Sequence, residues 1–291
     1  SSGDYTIADS KKGSGTINKR QVNAGDFNLA FAGVTKVYDA TKDVKKNGDA
    51  AQADGYINEV SVDLGGTIGK KYFTNGNGYS LVKAEYANPN VSANSGTGNV
   101  TYTLKLDSGL LKNYSFADLN NTAGQAVGYS YDSANNTVTR TLGVGTITKR
   151  PVYAHVKDVS KIYNALMDVR GGDGDGHILS SRELATFDNK LNGTAVDDTG
   201  LIKEHENLNA TKADYDTKTA GTGKTVNYRF SVDSNAAIAG NYDIYDGKTG
   251  ALLPTNAAGE YLLATTTNTI EKRAIKLQTE TNVTKEFDNT Y

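Results

Sequence analysis

The feature that most constrains this chain is that it repeats itself. Gly15-Thr16-Ile17-Asn18-Lys19-Arg20-Gln21-Val22 returns as Gly145-Thr146-Ile147-Thr148-Lys149-Arg150-Pro151-Val152, and again as Asn268-Thr269-Ile270-Glu271-Lys272-Arg273-Ala274-Ile275. A second block, Val34-Thr35-Lys36-Val37-Tyr38-Asp39-Ala40, matches Val159-Ser160-Lys161-Ile162-Tyr163-Asn164-Ala165 and Val283-Thr284-Lys285-Glu286-Phe287-Asp288-Asn289. A third aligns Val100-Thr101-Tyr102-Thr103-Leu104-Lys105-Leu106-Asp107 with Val226-Asn227-Tyr228-Arg229-Phe230-Ser231-Val232-Asp233, and a fourth aligns Asn113-Tyr114-Ser115-Phe116 with Asn241-Tyr242-Asp243-Ile244. Blocks that recur in one order, at steps of roughly 125 residues, mark a tandem array of similar domains. The register predicts the C-terminal tail of a preceding repeat at 1–18, whole repeats at 19–148 and 149–271, and the start of a further repeat at 272–291. The sequence therefore reads as a piece of a longer chain, and Ser1 to Tyr5 carries neither the basic nor the apolar part of a leader.

The local period is that of a strand. Val100, Tyr102, Leu104 and Leu106 fall on one face and Thr101, Thr103, Lys105 and Asp107 on the other, and the copy at 226–233 keeps the alternation. A helix of 3.6 residues per turn does not sort residues this way. Asn75-Gly76-Asn77-Gly78 and Asp246-Gly247 supply turns, and the best helical stretch is Ser180 to Phe187, where a Ser cap precedes one short turn or two. Short strands broken by frequent turns predict an all-β chain of antiparallel β-sandwiches.

Composition removes several function classes. There is no cysteine, so a thiolate zinc site, a cysteine nucleophile and a disulfide framework are excluded. The 31 basic and 33 acidic residues are interspersed, which argues against a nucleic-acid footprint. Apolar runs such as Tyr261 to Ala264 fall far short of a membrane helix, so no membrane insertion is expected.

The Lys36-Val37-Tyr38-Asp39-Ala40-Thr41 block, together with Gly221 to Val226 and Ala239-Gly240-Asn241-Tyr242-Asp243-Ile244, resembles the YDG-type repeat domains of large bacterial exoproteins, the filamentous-haemagglutinin-like and two-partner-secreted adhesins. The resemblance covers both whole repeats and both flanking pieces. It implies tandem Ig-like sandwiches on a secreted or cell-surface protein, with neighbouring repeats of the same chain as partners. Where the family commonly has Gly after Tyr-Asp, this chain has Ala40, Ala165 and Asn289. Alanine is strained at positive φ, so an ordinary turn conformation is expected there.

The repeated residues Lys36, Tyr38, Asp39, Lys161, Tyr163, Asn164, Asn113, Tyr114, Asn241 and Tyr242 are read as structural. Tyr38-Asp39 and Tyr163-Asn164 fit a strand end followed by an Asx turn. A sharper alternative is an isopeptide staple between Lys36 or Lys161 and Asn113 or Asn241, which needs a desolvated neutral lysine and a nearby acid. Exposed, snorkelling lysines are commoner, and an unmodified mass is expected. Asp173 and Asp175 echo a calcium loop, but Gly171 and Arg182 stand where its first and last ligands belong, so a flexible hairpin is the main expectation and calcium a weak alternative. No cofactor is expected. His155 and His205 offer no nucleophile–base pairing, and Gly221 to Thr225 lacks the spacing of a phosphate loop. Together these point to a non-enzymatic stalk module of an extracellular adhesin. The alternative is a module that binds a host or bacterial surface glycan or protein through 45–80 or 170–210, where the repeats stop aligning.

Overall fold

A computed structural model describes residues 15–46, 49–170, 178–191, 194–195, 208–232 and 236–278. The chain divides into two compact units, Ser1–Lys149 and Arg150–Tyr291, and both are mostly β-sheet.

The first unit contains β1 (Arg20–Gln21), β2 (Phe27–Phe31), β3 (Val34–Val37), β4 (Ile57–Asp63), β5 (Lys70–Asn75), β6 (Gly78–Tyr86), β7 (Ser95–Leu106), β8 (Tyr114–Ser115), β9 (Tyr129–Asp132) and β10 (Thr137–Thr148). Most belong to one curled sheet in the order β2-β4-β5-β6-β7-β10-β3, with β9 also on β10, while β1 pairs with β8. The second unit contains β11 (Arg150–Val156), β12 (Ser160–Ile162), β13 (Ala185–Asp188), β14 (Lys190–Leu191), β15 (Thr194–Ala195), β16 (Asn209–Tyr215), β17 (Gly221–Ser231), β18 (Tyr242–Asp246) and β19 (Tyr261–Glu271). Here β13-β11-β18 form one sheet, β12-β19-β17-β16 another, and β14 and β15 a small pair.

The alternating faces are those read in the sequence. Val100, Tyr102 and Leu104 on β7, and Val226, Tyr228 and Phe230 on β17, are fully buried. Each buried side chain of this size contributes about 1.5–3 kcal/mol. Buried phenols also need a hydrogen-bond partner. Tyr102 donates to the Ala53 carbonyl at 2.9 Å and Tyr228 to the Lys157 carbonyl at 3.1 Å.

Two expectations need correction. The sheets are mixed rather than purely antiparallel: β1–β8, β3–β10, β11–β18 and β12–β19 all run parallel. Each of these pairs joins a strand early in a unit to one late in it, and the long intervening chain supplies the crossover that parallel pairing requires. The short capped helix expected within 180–187 is present as the single turn α3 (Ser181–Leu184), but Ala185 to Phe187 are strand; α3 follows α1 (Ser108–Asn113) and α2 (Thr122–Ala126) and precedes α4 (Ala236–Ala239). The Ser180 amide and hydroxyl both donate to the Glu183 carboxylate, at 2.9 and 2.6 Å, which caps that turn. The next residues enter β13, where Phe187 packs edge-on to Phe230. Such short helices are set by tertiary packing rather than by propensity, which is why three of the four left no readable pattern. None of the described helices is long and apolar enough to cross a membrane.

Candidate functional site

On β3 the residues alternate inward and outward, so Lys36 points to the same side as buried Val34. On β12 only 2 % of Lys161 is exposed. These are therefore core lysines, not the snorkelling ones expected. A buried ammonium is tolerated only where acceptors converge on it.

Both units provide them in the same way. Lys36 Nζ donates to Asp39 Oδ1 at 2.6 Å, to the Thr41 carbonyl at 2.7 Å and to Thr41 Oγ1 at 3.1 Å. Lys161 Nζ donates to Asn164 Oδ1 at 3.1 Å, to the Leu166 carbonyl at 2.6 Å, and to the Asp168 carbonyl and Oδ1 at 2.9 and 3.2 Å. Asp39 Oδ1 also accepts the Thr41 N–H, and Asn164 Oδ1 the Leu166 N–H, each at 3.0 Å, so both side chains close Asx turns.

A tyrosine completes each site. Nζ lies 5.3 Å from the Tyr86 ring centre in one unit and 5.1 Å from that of Tyr215 in the other. A desolvated cation–π contact of this kind contributes about 2 kcal/mol. The Tyr86 hydroxyl lies 3.1 Å from the carbonyls of both Val34 and Thr146, one on each strand of the β3–β10 pair. The Tyr215 hydroxyl does the same with Val159 and Thr269, beside β12 and on β19. The backbone around the rings matches too: Tyr86 N–H donates to Lys42 and Tyr215 N–H to Met167, both at 2.7 Å. Neither tyrosine was singled out from sequence. The signal was present as Lys83-Ala84-Glu85-Tyr86 and Lys212-Ala213-Asp214-Tyr215, a further repeated block.

The turn after Tyr-Asp is not ordinary. Ala40 has φ +60° and Ala165 φ +64°, so both occupy the left-handed region. The expectation failed because the Asx turn and the lysine contacts over-determine this backbone, and alanine adopts it at a cost of about 1–2 kcal/mol. Ala40→Gly and Ala165→Gly are each expected to stabilise their unit by about 0.5–1 kcal/mol, the relieved strain less glycine's extra unfolded-state entropy. Denaturant midpoints measure this.

The electrostatics follow from burial. Burial acts to raise the Asp39 pKa, but hydrogen bonds from Lys36, Lys45 and the Thr41 N–H outweigh it and hold the carboxyl at about 2. Burial likewise pushes Lys36 down against the pull of Asp39. At Asp168 burial again opposes ionisation, and hydrogen bonds from Arg170, Asn164 and Lys161 win, lowering its pKa. A depressed carboxyl pKa contributes stability above the unfolded-state value, lost as pH falls through the folded value. The first unit is therefore expected to lose about 2 kcal/mol between pH 3.8 and about 2. Melting curves across that range should show the loss, and Asp39→Asn, which installs the amide found at Asn164, should flatten it.

The other expected residues lie elsewhere. Neither lysine hydrogen-bonds Asn113 or Asn241. Asn113 ends α1 and its side-chain amide donates to the Gly109 carbonyl at 3.4 Å, whereas the backbone carbonyl of buried Asn241 accepts the Arg150 N–H at 2.8 Å. Tyr114 and Tyr242 occupy one register position, opposite Arg20 and Arg150. Tyr38 is buried and Tyr163 is 40 % exposed. The amide that does meet a lysine is Asn164, whose Nδ2 donates to Asp168 Oδ1 at 3.2 Å. Four acceptors converge on Lys161 Nζ and suit an ammonium, which has three protons and no lone pair for an isopeptide-forming attack. Asp173 and Asp175 lie outside the described residues, as does His205. Among the described residues, no group of three potential ligands is placed to hold a metal. His155 Nε2 lies 2.8 Å from Asp188 Oδ1, which also accepts the Lys190 N–H at 2.7 Å.

No protein-family model matches the chain, and comparisons with curated proteins and with solved structures gave no match.

Proposed function

We propose that this chain is a non-enzymatic structural segment, two tandem Ig-like β-sandwich repeats of a secreted or surface-anchored bacterial adhesin that hold a distal binding region away from the cell envelope. The observation that carries this reading is the duplicated lysine–tyrosine clamp. The same buried cation, turn and phenol are built twice, and their polar groups are turned on one another rather than toward a ligand. The YDG-type resemblance of the repeat blocks supports the adhesin context and the extracellular location. Arrays of such modules multiply attachment by linking weak contacts on one chain.

A second reading, ligand recognition by a module, draws on a hollow of about 590 Å³ in the Arg150–Tyr291 unit, where Leu252, Pro254 and Leu262 meet Asp214 and Arg229. It lies outside 45–80 and 170–210, the segments expected to carry such a site. In 45–80, Ile68 and Tyr72 are exposed. Much of 170–210 is outside the described residues. Glycan and matrix-protein arrays test the two readings. A stalk module shows no saturable binding, whereas saturable binding of a defined ligand, abolished by Leu262→Asp without loss of folding, establishes the second.

A further inference from the structure

We infer that each unit is a load-bearing module whose parallel strand pair is pulled in shear, with the lysine–tyrosine clamp as its lock. This rests on the stalk reading and adds a mechanical task to it.

In the first unit β3 lies parallel to the end of β10, with Val34 opposite Gly145 and Val37 opposite Thr148. Tension from the N-terminal side passes β1 and β2, which pair with β8 and β4, before it reaches β3 at Val34, and tension from the C-terminal side leaves β10 at Thr148. Those points are at opposite ends of the ladder. The pull therefore runs along both strands and strains all their hydrogen bonds together, instead of opening them one at a time. The second unit repeats this: Ser160 is opposite Thr269 and Ile162 opposite Glu271. Just past the ladders, Tyr38 N–H donates to Thr148 and Tyr163 N–H to Glu271, at 2.9 and 2.8 Å. The first strand of each unit also lies in a parallel pair, β1 with β8 and β11 with β18.

The clamp resists sliding along that direction. For β3 to move toward its N-terminal side, Lys36 must leave the Tyr86 ring and strip its proton donor from Asp39 and the Thr41 carbonyl. The Tyr86 hydroxyl, shared between Val34 and Thr146, must give up one strand. The segment that holds the ammonium is itself fixed to β6, because Val44 N–H donates to the Ala84 carbonyl at 3.0 Å. Lys161, Tyr215 and Asn164 occupy the same positions in the second unit. Forced unfolding is governed by the unfolding rate, so contacts that must break before the barrier act on it directly.

The test is single-molecule pulling of the full chain between marker domains, compared with pulling between Gly33→Cys and Val144→Cys. The chain has no cysteine of its own, so handles attach only at the introduced sites. Gly33 and Val144 sit side by side at one end of the β3–β10 ladder. The expected result is two unfolding events on end-to-end pulling, and a force for the first unit several-fold higher than between 33 and 144. Tyr215→Phe keeps the ring and removes the hydroxyl. It should speed unfolding of the second unit under load roughly 3- to 10-fold. Equal forces in the two directions, or a Tyr215→Phe unit that unfolds under load at the unaltered rate, overturn the inference. Neither result touches the stalk reading, which stands or falls on the binding arrays.

Discussion

Lys161→Met is expected to lower the stability of the Arg150–Tyr291 unit by about 3–5 kcal/mol, the range seen when one member of a buried charged network is removed. Methionine fills similar space. The loss therefore comes from the Leu166 and Asp168 carbonyls and Asn164 Oδ1, which would lose their donor, and from the Tyr215 ring, which would lose its cation. Lys161→Arg should not rescue it, because a planar guanidinium does not fit acceptors gathered around a single nitrogen. Urea titration reads the effect as a lower midpoint with unchanged slope for one transition, while the transition of the first unit stays in place.

The second large effect is at Tyr86. Tyr86→Ala is expected to destabilise the first unit by about 3–5 kcal/mol through the cavity it opens in the core. Gly145 reports on that cavity. A Cβ there would stand 2.7 Å from Tyr86 Cε1 and 2.7 Å from Val100 Cγ2. Gly145→Ala alone should therefore destabilise by overpacking. In the Tyr86→Ala background the clash with the ring is gone and Val100 can shift into the vacated space, so the double variant should be more stable than the sum of the two single losses predicts, with a coupling of about 1 kcal/mol. Four melting curves complete the cycle.

The strands that carry the core were legible because their alternation is strict: Val100 to Leu106 and Val226 to Val232 bury the residues that the period assigns inward. Parallel pairing was not legible, because it depends on which distant strand returns alongside, and nothing local in Val34 to Val37 or Ser160 to Ile162 encodes that. The lysine clamp was half legible. The alternation that puts Val34 inside also puts Lys36 inside, yet the general preference of lysine for the surface outweighed the pattern. Its local partners, three to seven residues on, could be seen in the repeated Asp39 and Asn164. Its tyrosine could not, since Tyr86 lies fifty residues and Tyr215 fifty-four residues further along. The left-handed alanines misled for a plain reason. The backbone there is fixed by hydrogen bonds to its neighbours, and the side-chain preference of one residue is the weaker influence.

The clamp also bears on what happens after a unit has been opened. A disulfide needs an oxidant to form and can reshuffle once broken, and a bound metal has to be recaptured from its surroundings. This chain has no cysteine, and the lysine finds every acceptor within seven residues of itself. Contacts so close in sequence close quickly. A unit pulled open keeps the lysine, its turn and its acceptors together in one short stretch of chain. Half of the clamp therefore closes locally and only the distant tyrosine has to return, with no oxidant or metal to be supplied.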